Sequence, residues 1–324
     1  MSLKITSEYI ELLNKAVARE LQVSVQYFLQ HAKIEKIMRK VKAENILLDS
    51  TTYDQIGQIL KRLAIEEMKH AGSIVERIYY LGGEVTTKAS KPKIGENMQE
   101  FMKYGFEAEE EALELYREII REAGKFGDYD TKELFRKIYR DEEEHLYTFQ
   151  EYLTINISEP EETAPKSEWR EVFDDEYFAL LNKALASELS AIIQYITQHE
   201  KANAINLRKK ETPLEVITNT NKAQVISDML KKIFMQEMEH YEKISERIYM
   251  LDGECILDPD PLPKVGESVE DFLKLGHQAE DEAIVLYRKI IEEATKKGDI
   301  TTKKMFEEIL MEEEEHYWMF DDYL

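Results

Sequence analysis

The sequence predicts an all-α protein built as two tandem four-helix bundles, and three observations carry that expectation. A framework that begins LLNKAVARELQVSVQYFLQHAK at Leu12 returns as LLNKALASELSAIIQYITQHEK at Leu180, an offset of 180 − 12 = 168 residues. The match continues to KIGENMQEF at 93–101 and KVGESVEDF at 264–272, where the offset is 264 − 93 = 171, so small insertions sit in loops. A unit this long is a whole domain copied once rather than a solenoid repeat of about 20 to 50 residues. Each copy carries four long segments with apolar residues at helical spacing, roughly 7–37, 55–81, 97–123 and 130–153 in the first, and few strand signals.

The connections between these segments are unequal. GKFGDYD is a short turn and makes the third and fourth segments antiparallel neighbours, whereas GGEVTTKASKPKIGE is long enough to cross the end of a bundle. The polar stretch TINISEPEETAPKSEWREV, with Pro160 and Pro165, reads as a linker, giving bundles at 1–154 and 172–324 joined by 155–171.

Charge narrows the possible partners. The 324 residues hold 43 basic and 66 acidic side chains, a net charge of −23 that repels nucleic-acid phosphates and anionic membranes and favours cations. Cys255 is the only cysteine, so neither an internal disulfide nor a thiolate metal cage is available. The start MSLKITSEYIELL has no apolar run of signal-peptide length and no other stretch approaches membrane length, so a cytoplasmic protein is expected.

Each helical stripe is interrupted where a core side chain is due. The first runs Ile10, Leu13, Val17 and then Glu20, Ser24, Tyr27. The second runs Leu60, Leu63, Glu67, His70, Ile74, Ile78, and the third Phe101, Gly105, Glu109, Ala112, Tyr116. The fourth runs Phe135, Ile138, Glu142, His145, Phe149. The second copy repeats all six as Glu188, Glu237, His240, Glu280, Glu313 and His316. A lone DEEEH is ordinary solvated helix surface; six such residues on four apolar stripes, recurring in a second copy, are not.

Four ionised carboxylates in one small core need compensation, because each buried unpaired charge costs several kcal/mol or protonates. Two divalent ions bring +4 against −4, and a ferric pair bridged by one oxide also sums to zero. Carboxylates with one imidazole per metal suit iron or manganese better than zinc.

These residues resemble the bacterioferritin family of the ferritin-like superfamily. The likeness lies in ARELQVSVQYF around Glu20, EEMKHAGSIVERIYYLGG, IGENMQEFMKYGFEAEEEALELYREII and YRDEEEHLYTF, and it covers both copies. It implies two ferritin-like bundles with one long crossover each, and a ferroxidase-type di-iron centre in each, two irons per bundle and four per chain. Such a protein binds Fe(II) and oxidises it with O2 or H2O2 in iron homeostasis and oxidative-stress protection. The resemblance makes Glu20 and Glu109 terminal carboxylates, Glu67 and Glu142 bridges, and His70 and His145 the imidazole ligands. In the second copy the corresponding roles fall to Glu188 and Glu280, Glu237 and Glu313, and His240 and His316. Tyr27 and Tyr195 would hydrogen-bond near the centres and could donate an electron, or else be core tyrosines. Met68 and Met238 stand where bacterioferritins ligate haem across a two-fold interface; the alternative is a packing methionine.

Other features depart from the family. The short fifth helix of the family is not expected here, where the first bundle runs into the linker and the second reaches Leu324, and IMRKVKAENILLDSTTYDQIGQIL lengthens the segment between the first two helices. Both speak against a 24-subunit cage while leaving a homo-oligomer open. Rubrerythrin-like peroxide reduction is the nearer alternative, but Ala112 and Ala283 replace its additional Glu. A non-catalytic iron or haem carrier is the alternative from a different class. His31 and His199 lie too far along the helix to be ligands and read as hydrogen-bonding residues at the bundle end. His277 and Cys255 have no counterpart in the first copy, where Phe106 and Val85 stand.

Overall fold

The computed structural model describes residues 5–43, 47–155, 173–208 and 221–324. The expected linker, 155–171, lies outside them apart from Ile155. Contacts divide the chain into two compact units, Met1–Glu162 and Thr163–Leu324. The first holds α1 (Ser7–Ala43), α2 (Leu47–Leu81), α3 (Met98–Phe126) and α4 (Tyr129–Leu153). The second holds α5 (Asp175–Arg208), α6 (Lys222–Met250), α7 (Val269–Lys297) and α8 (Ile300–Asp321). Among the described residues there is no β-strand, and no helix is long and apolar enough to cross a membrane. Two tandem all-α bundles are therefore the architecture.

In the first unit α1 packs mainly on α2 and α3 mainly on α4, and contacts of α1 with α3 and of α2 with α4 close the ring. α5 to α8 repeat this arrangement. The apolar stripes meet inside, with Leu13, Val17, Leu63, Ile74, Phe101 and Phe135 fully buried. α2 begins eight residues earlier than the stripe starting at 55 suggests. The reason is that Tyr53, Ile56 and Leu60 continue one helical face and are all fully buried, so the lengthened segment prolongs the helix instead of forming a loop.

The crossover connection also differs from expectation, because it runs along α1 rather than across the bundle end. Asn14 holds it at Glu84 O and Thr86 N, each at 2.8 Å. Gln26 Oε1 accepts from Lys93 N at 3.0 Å, Gln30 donates to Ile94 O at 3.0 Å, and Lys33 donates to Gly95 O at 2.9 Å. From Asn14 to Lys33 is 33 − 14 = 19 residues, about 28 Å of helix. Without these side chains an extended segment would leave its peptide groups unsatisfied against the helix. Asn182, Gln194, Gln198 and Lys201 of α5 hold the second crossover in the same way.

Two devices set the spacing of the helices. Gly105 and Gly276 let α3 and α7 approach the rings of Phe149 and Phe320 so closely that a Cβ would overlap them. At the other end Asp128 caps α4, its Oδ1 accepting from Thr131 N at 3.1 Å and from Arg77 Nη2 of α2 at 2.5 Å. Tyr9 of α1 donates to Asp128 Oδ2 at 3.1 Å, so one carboxylate ties three helices. Burial would push the Asp128 carboxyl up, but hydrogen bonds from Thr131 and the Arg77 guanidinium hold it below the usual carboxylate range.

Removing Arg77 as Arg77→Ala should destabilise the first bundle by about 3–5 kcal/mol, because it strands a buried carboxylate; denaturant unfolding measures this, and a loss under about 1 kcal/mol would mean the latch is inert. A lowered folded pKa places the stabilising contribution of Asp128 above its unfolded value, near pH 4, and it is lost as pH falls through the folded value. Gly105→Ala should cost about 1–3 kcal/mol by overpacking against Phe149.

Candidate metal centres

The six residues of each stripe converge at mid-bundle. Glu20 of α1, Glu67 and His70 of α2, Glu109 of α3, and Glu142 and His145 of α4 face one another, all four carboxylates fully buried. His70 Nδ1 lies 3.3 Å from Glu67 Oε2, 3.2 Å from Glu142 Oε1 and 3.8 Å from Glu20 Oε2. His145 Nδ1 lies 2.9 Å from Glu67 Oε1 and 3.3 Å from Glu142 Oε2. Two overlapping groups result, Glu20–Glu67–His70–Glu142 and Glu67–Glu109–Glu142–His145, with ligand atoms in each within 4.8 Å of one another. Atoms bound to one ion at about 2.0–2.2 Å spread over no more than about 4.4 Å, so each group needs only slight contraction to hold an ion. Glu67 and Glu142 belong to both groups and stand between the two positions.

The second bundle repeats the pair as Glu188–Glu237–His240–Glu313 and Glu237–Glu280–Glu313–His316. His240 Nδ1 lies 3.0 Å from Glu237 Oε2 and 2.9 Å from Glu313 Oε1. His316 Nδ1 lies 3.1 Å from Glu237 Oε1 and 3.5 Å from Glu313 Oε2. The paired imidazole rings are 6.1 Å apart in both bundles.

The donor set fits a cation. Both oxygens of Glu20 and of Glu142, Glu67 Oε1, Glu109 Oε2 and His145 Nδ1 are buried and make no well-aligned hydrogen bond among the described residues, only the close ionic approaches between carboxylate and cationic side chain. Such groups are costly unless something binds them. Burial and the charges of Glu142 and Glu67 push Glu20 well up, and burial with the same two carboxylates does so for Glu109. Burial also opposes ionisation of Glu67 and Glu142, but the facing imidazoles outweigh it and hold both low. Burial alone would depress His70; Glu142 and Glu67 overcome it and raise it to about 10, and His145 is raised by the same kind of contact. In the metal-free core the terminal carboxylates are thus biased toward the protonated form, the shared carboxylates toward the ionised form and the imidazoles toward the charged form.

Tyr27 and Tyr195 reach the carboxylates that the sequence reading set them beside, whereas Tyr287 and the outer carboxylates Asp141, Glu66 and Glu312 are partners it missed. Tyr27 and Tyr195 donate to Glu109 Oε1 and Glu280 Oε1, and Tyr287 donates to Glu188 Oε1. Burial, with Glu109 and Glu67, keeps the Tyr27 phenol protonated. Asp141 Oδ2 lies 3.3 Å from His70 Nε2, Glu66 Oε2 lies 3.2 Å from His145 Nε2, and Glu312 Oε2 lies 2.7 Å from His240 Nε2. These carboxylates fix which ring nitrogen faces the centre. A signal was present: each stands one residue before a Glu shared by both groups, on the helix opposite its histidine. In the first bundle the outer edges of His70 and His145 line a cavity of ≈ 350 Å³ between α2 and α4.

The comparisons follow from this geometry. The ferritin-like domain family matches twice, over residues 10–156 and 178–324. A bacterioferritin of Desulfovibrio desulfuricans is 33% identical over 152 residues, covering 47% of this chain and 76% of the relative. The chain belongs to the bacterioferritin family, within the ferritin-like superfamily. Bacterioferritins of Streptomyces coelicolor (34% identical, 44% of this chain, 76% of the relative) and Brucella melitensis (30%, 42%, 77%) are similarly related. Each alignment has the length of one bundle, so this member of the family carries the unit twice.

The remaining candidates lie outside the centres. Met68 and Met238 follow the shared Glu67 and Glu237 and are each 3% exposed. His199 Nδ1 is 2.8 Å from Ser227 O, a bond between α5 and α6, and His31 faces Gly57 of α2. The His277 and Tyr317 rings are tilted against each other with centroids 4.1 Å apart, and Cys255 Sγ lies 3.7 Å from Ser245 O.

Filling a bundle with two divalent ions should displace about four protons, from Glu20, Glu109, His70 and His145 in the first. Apparent affinity should therefore rise with pH. The dependence of Co(II) binding heat on buffer ionisation measures the release, and a value near zero would contradict the protonation pattern.

Proposed function

We propose that each bundle, taken as residues 1–154 and 172–324, binds two Fe(II) ions as substrate and oxidises them with O2 or H2O2. The observation that carries this reading is the pair of overlapping buried groups, with Glu67 and Glu142, or Glu237 and Glu313, shared between two ion positions. In this reading Glu20 and Glu109 are terminal ligands, as are Glu188 and Glu280, and each position takes one imidazole: His70, His145, His240 or His316. Iron supplies the one-electron redox chemistry when bound. The chain supplies ligands whose charge balances the ions, keeps bulk water out of the core, and holds the terminal carboxylates through Tyr27 and Tyr195. The net charge of −23 favours approach of the cation. The relatives' own designation as bacterioferritins supports an iron protein.

Metal-free protein mixed without oxygen should take up about four Fe(II) per chain, and O2 or H2O2 should then generate ferric absorption in the near ultraviolet. Glu67→Ala removes a carboxylate shared by both positions of the first bundle, so uptake should fall to about two while the second bundle keeps its activity. Uptake without ferric absorption under either oxidant would leave a carrier and sink the ferroxidase reading.

A further inference from the structure

Residues of different formal charge stand at only one of the two candidate metal positions; at the other the hydrogen bonding differs, with Tyr287 donating to Glu188 and both oxygens of Glu20 left without such a partner. The position of Glu20, His70 and Asp141 has the same kinds of group as that of Glu188, His240 and Glu312. At the other position both changes between the bundles coincide. Arg19 of α1 reaches to 3.6 Å from Glu109 Oε2, and its counterpart before Glu188 is Ser187. Glu66 backs His145, whereas Gln236 occupies that place in α6. Gln236 Oε1 and His316 Nε2 are both buried without a hydrogen-bond partner among the described residues.

The exchange at Arg19 changes access as well as charge. Arg19 is 8% exposed, with Nε and both terminal nitrogens buried, so its side chain fills the gap between α1 and α3 beside Glu109. In the second bundle the short Ser187 leaves that gap open. A cavity of ≈ 40 Å³ lies there, bounded by Ser187, Ala191, Ala279 and Ala283 and reaching the carboxylates of Glu188 and Glu280. It exceeds the roughly 10–15 Å³ needed for one water and accommodates a diatomic molecule. Arg19 further sets a fixed positive charge against any cation at the Glu109 position, where low dielectric strengthens the repulsion.

We infer that Arg19 and Ser187 determine access between the first and third helices of each bundle, closing that approach to Glu109 in the first centre and opening the equivalent approach to Glu280 in the second to a small neutral ligand. The inference rests on the metal-binding reading above. Nitric oxide is a suitable probe, because it is neutral, diatomic and gives ferrous iron a visible absorption without turnover. The experiment uses full-length chains that retain one centre each, through Glu237→Ala or Glu67→Ala, loaded with Fe(II) in the absence of oxygen.

Stopped-flow mixing with nitric oxide should form the visible band at least about tenfold faster at the second centre than at the first. Arg19→Ser should bring the first centre to the faster rate, and Ser187→Arg should slow the second; circular dichroism checks that both remain folded, and Ser187→Lys provides a second long cationic plug. Equal rates at the two centres, or a first centre unchanged by Arg19→Ser, would overturn the inference while leaving the metal sites intact. Failure of Fe(II) to bind either centre would instead overturn the metal reading and this inference with it.

Discussion

Mutual repulsion among four buried carboxylates is the constraint around which each bundle is organised. A helical core of this size accepts such a cluster only when charge of the opposite sign enters with it. In the first bundle imidazoles on α2 and α4, the Tyr27 phenol on α1, the Arg19 guanidinium and protons on the terminal carboxylates supply that compensation in the metal-free chain. The protons can be exchanged for divalent cations, which makes the same cluster both an electrostatic burden and a candidate binding site. The outer carboxylates Asp141, Glu66 and Glu312 extend the arrangement by orienting the imidazoles from the far side.

Holding the cluster in register falls to features remote from it. The Asp128–Arg77–Tyr9 latch, with its equivalent Asp299–Arg247–Tyr177, fixes one end of each bundle. Gly105 and Gly276 set the approach of α3 to α4 and of α7 to α8 next to the cluster. The crossover segments bind along α1 and α5, giving each first helix a polar outer edge of Asn, Gln and Lys opposite its inner face. Ligand geometry is thereby carried by rigid helices rather than by loops.

Duplication has preserved some of this machinery and released the rest. Ligands, latch and crossover anchors recur with the same residue types, whereas the groups around one ion position have diverged in both size and charge. On formal charge the exchanges offset one another: the first bundle has Arg19 and Glu66 where the second has Ser187 and Gln236. What changes is the direction of the field and the space beside the terminal carboxylate. Such a pattern lets two centres on one chain share a scaffold and differ in what reaches them.

The amino-acid sequence by itself determined the all-α class, the duplication and the inward placement of the twelve candidate ligands, because helical periodicity and a second copy are local, countable signals. It did not reveal the true start of α2, since Tyr53 and Ile56 are recognisable as core only once α1 is seen to extend beside them. The route of the crossover was equally hidden, because amides on a helix look solvent-facing until the chain they anchor is in place. Nothing in the sequence sets Arg19 apart from the other charged residues of the first helix. Only the tertiary structure brings it against Glu109, some 90 residues away in sequence, and leaves a cavity where Ser187 replaces it. Those properties depend on contacts between helices distant in sequence, which no periodicity within a single helix records.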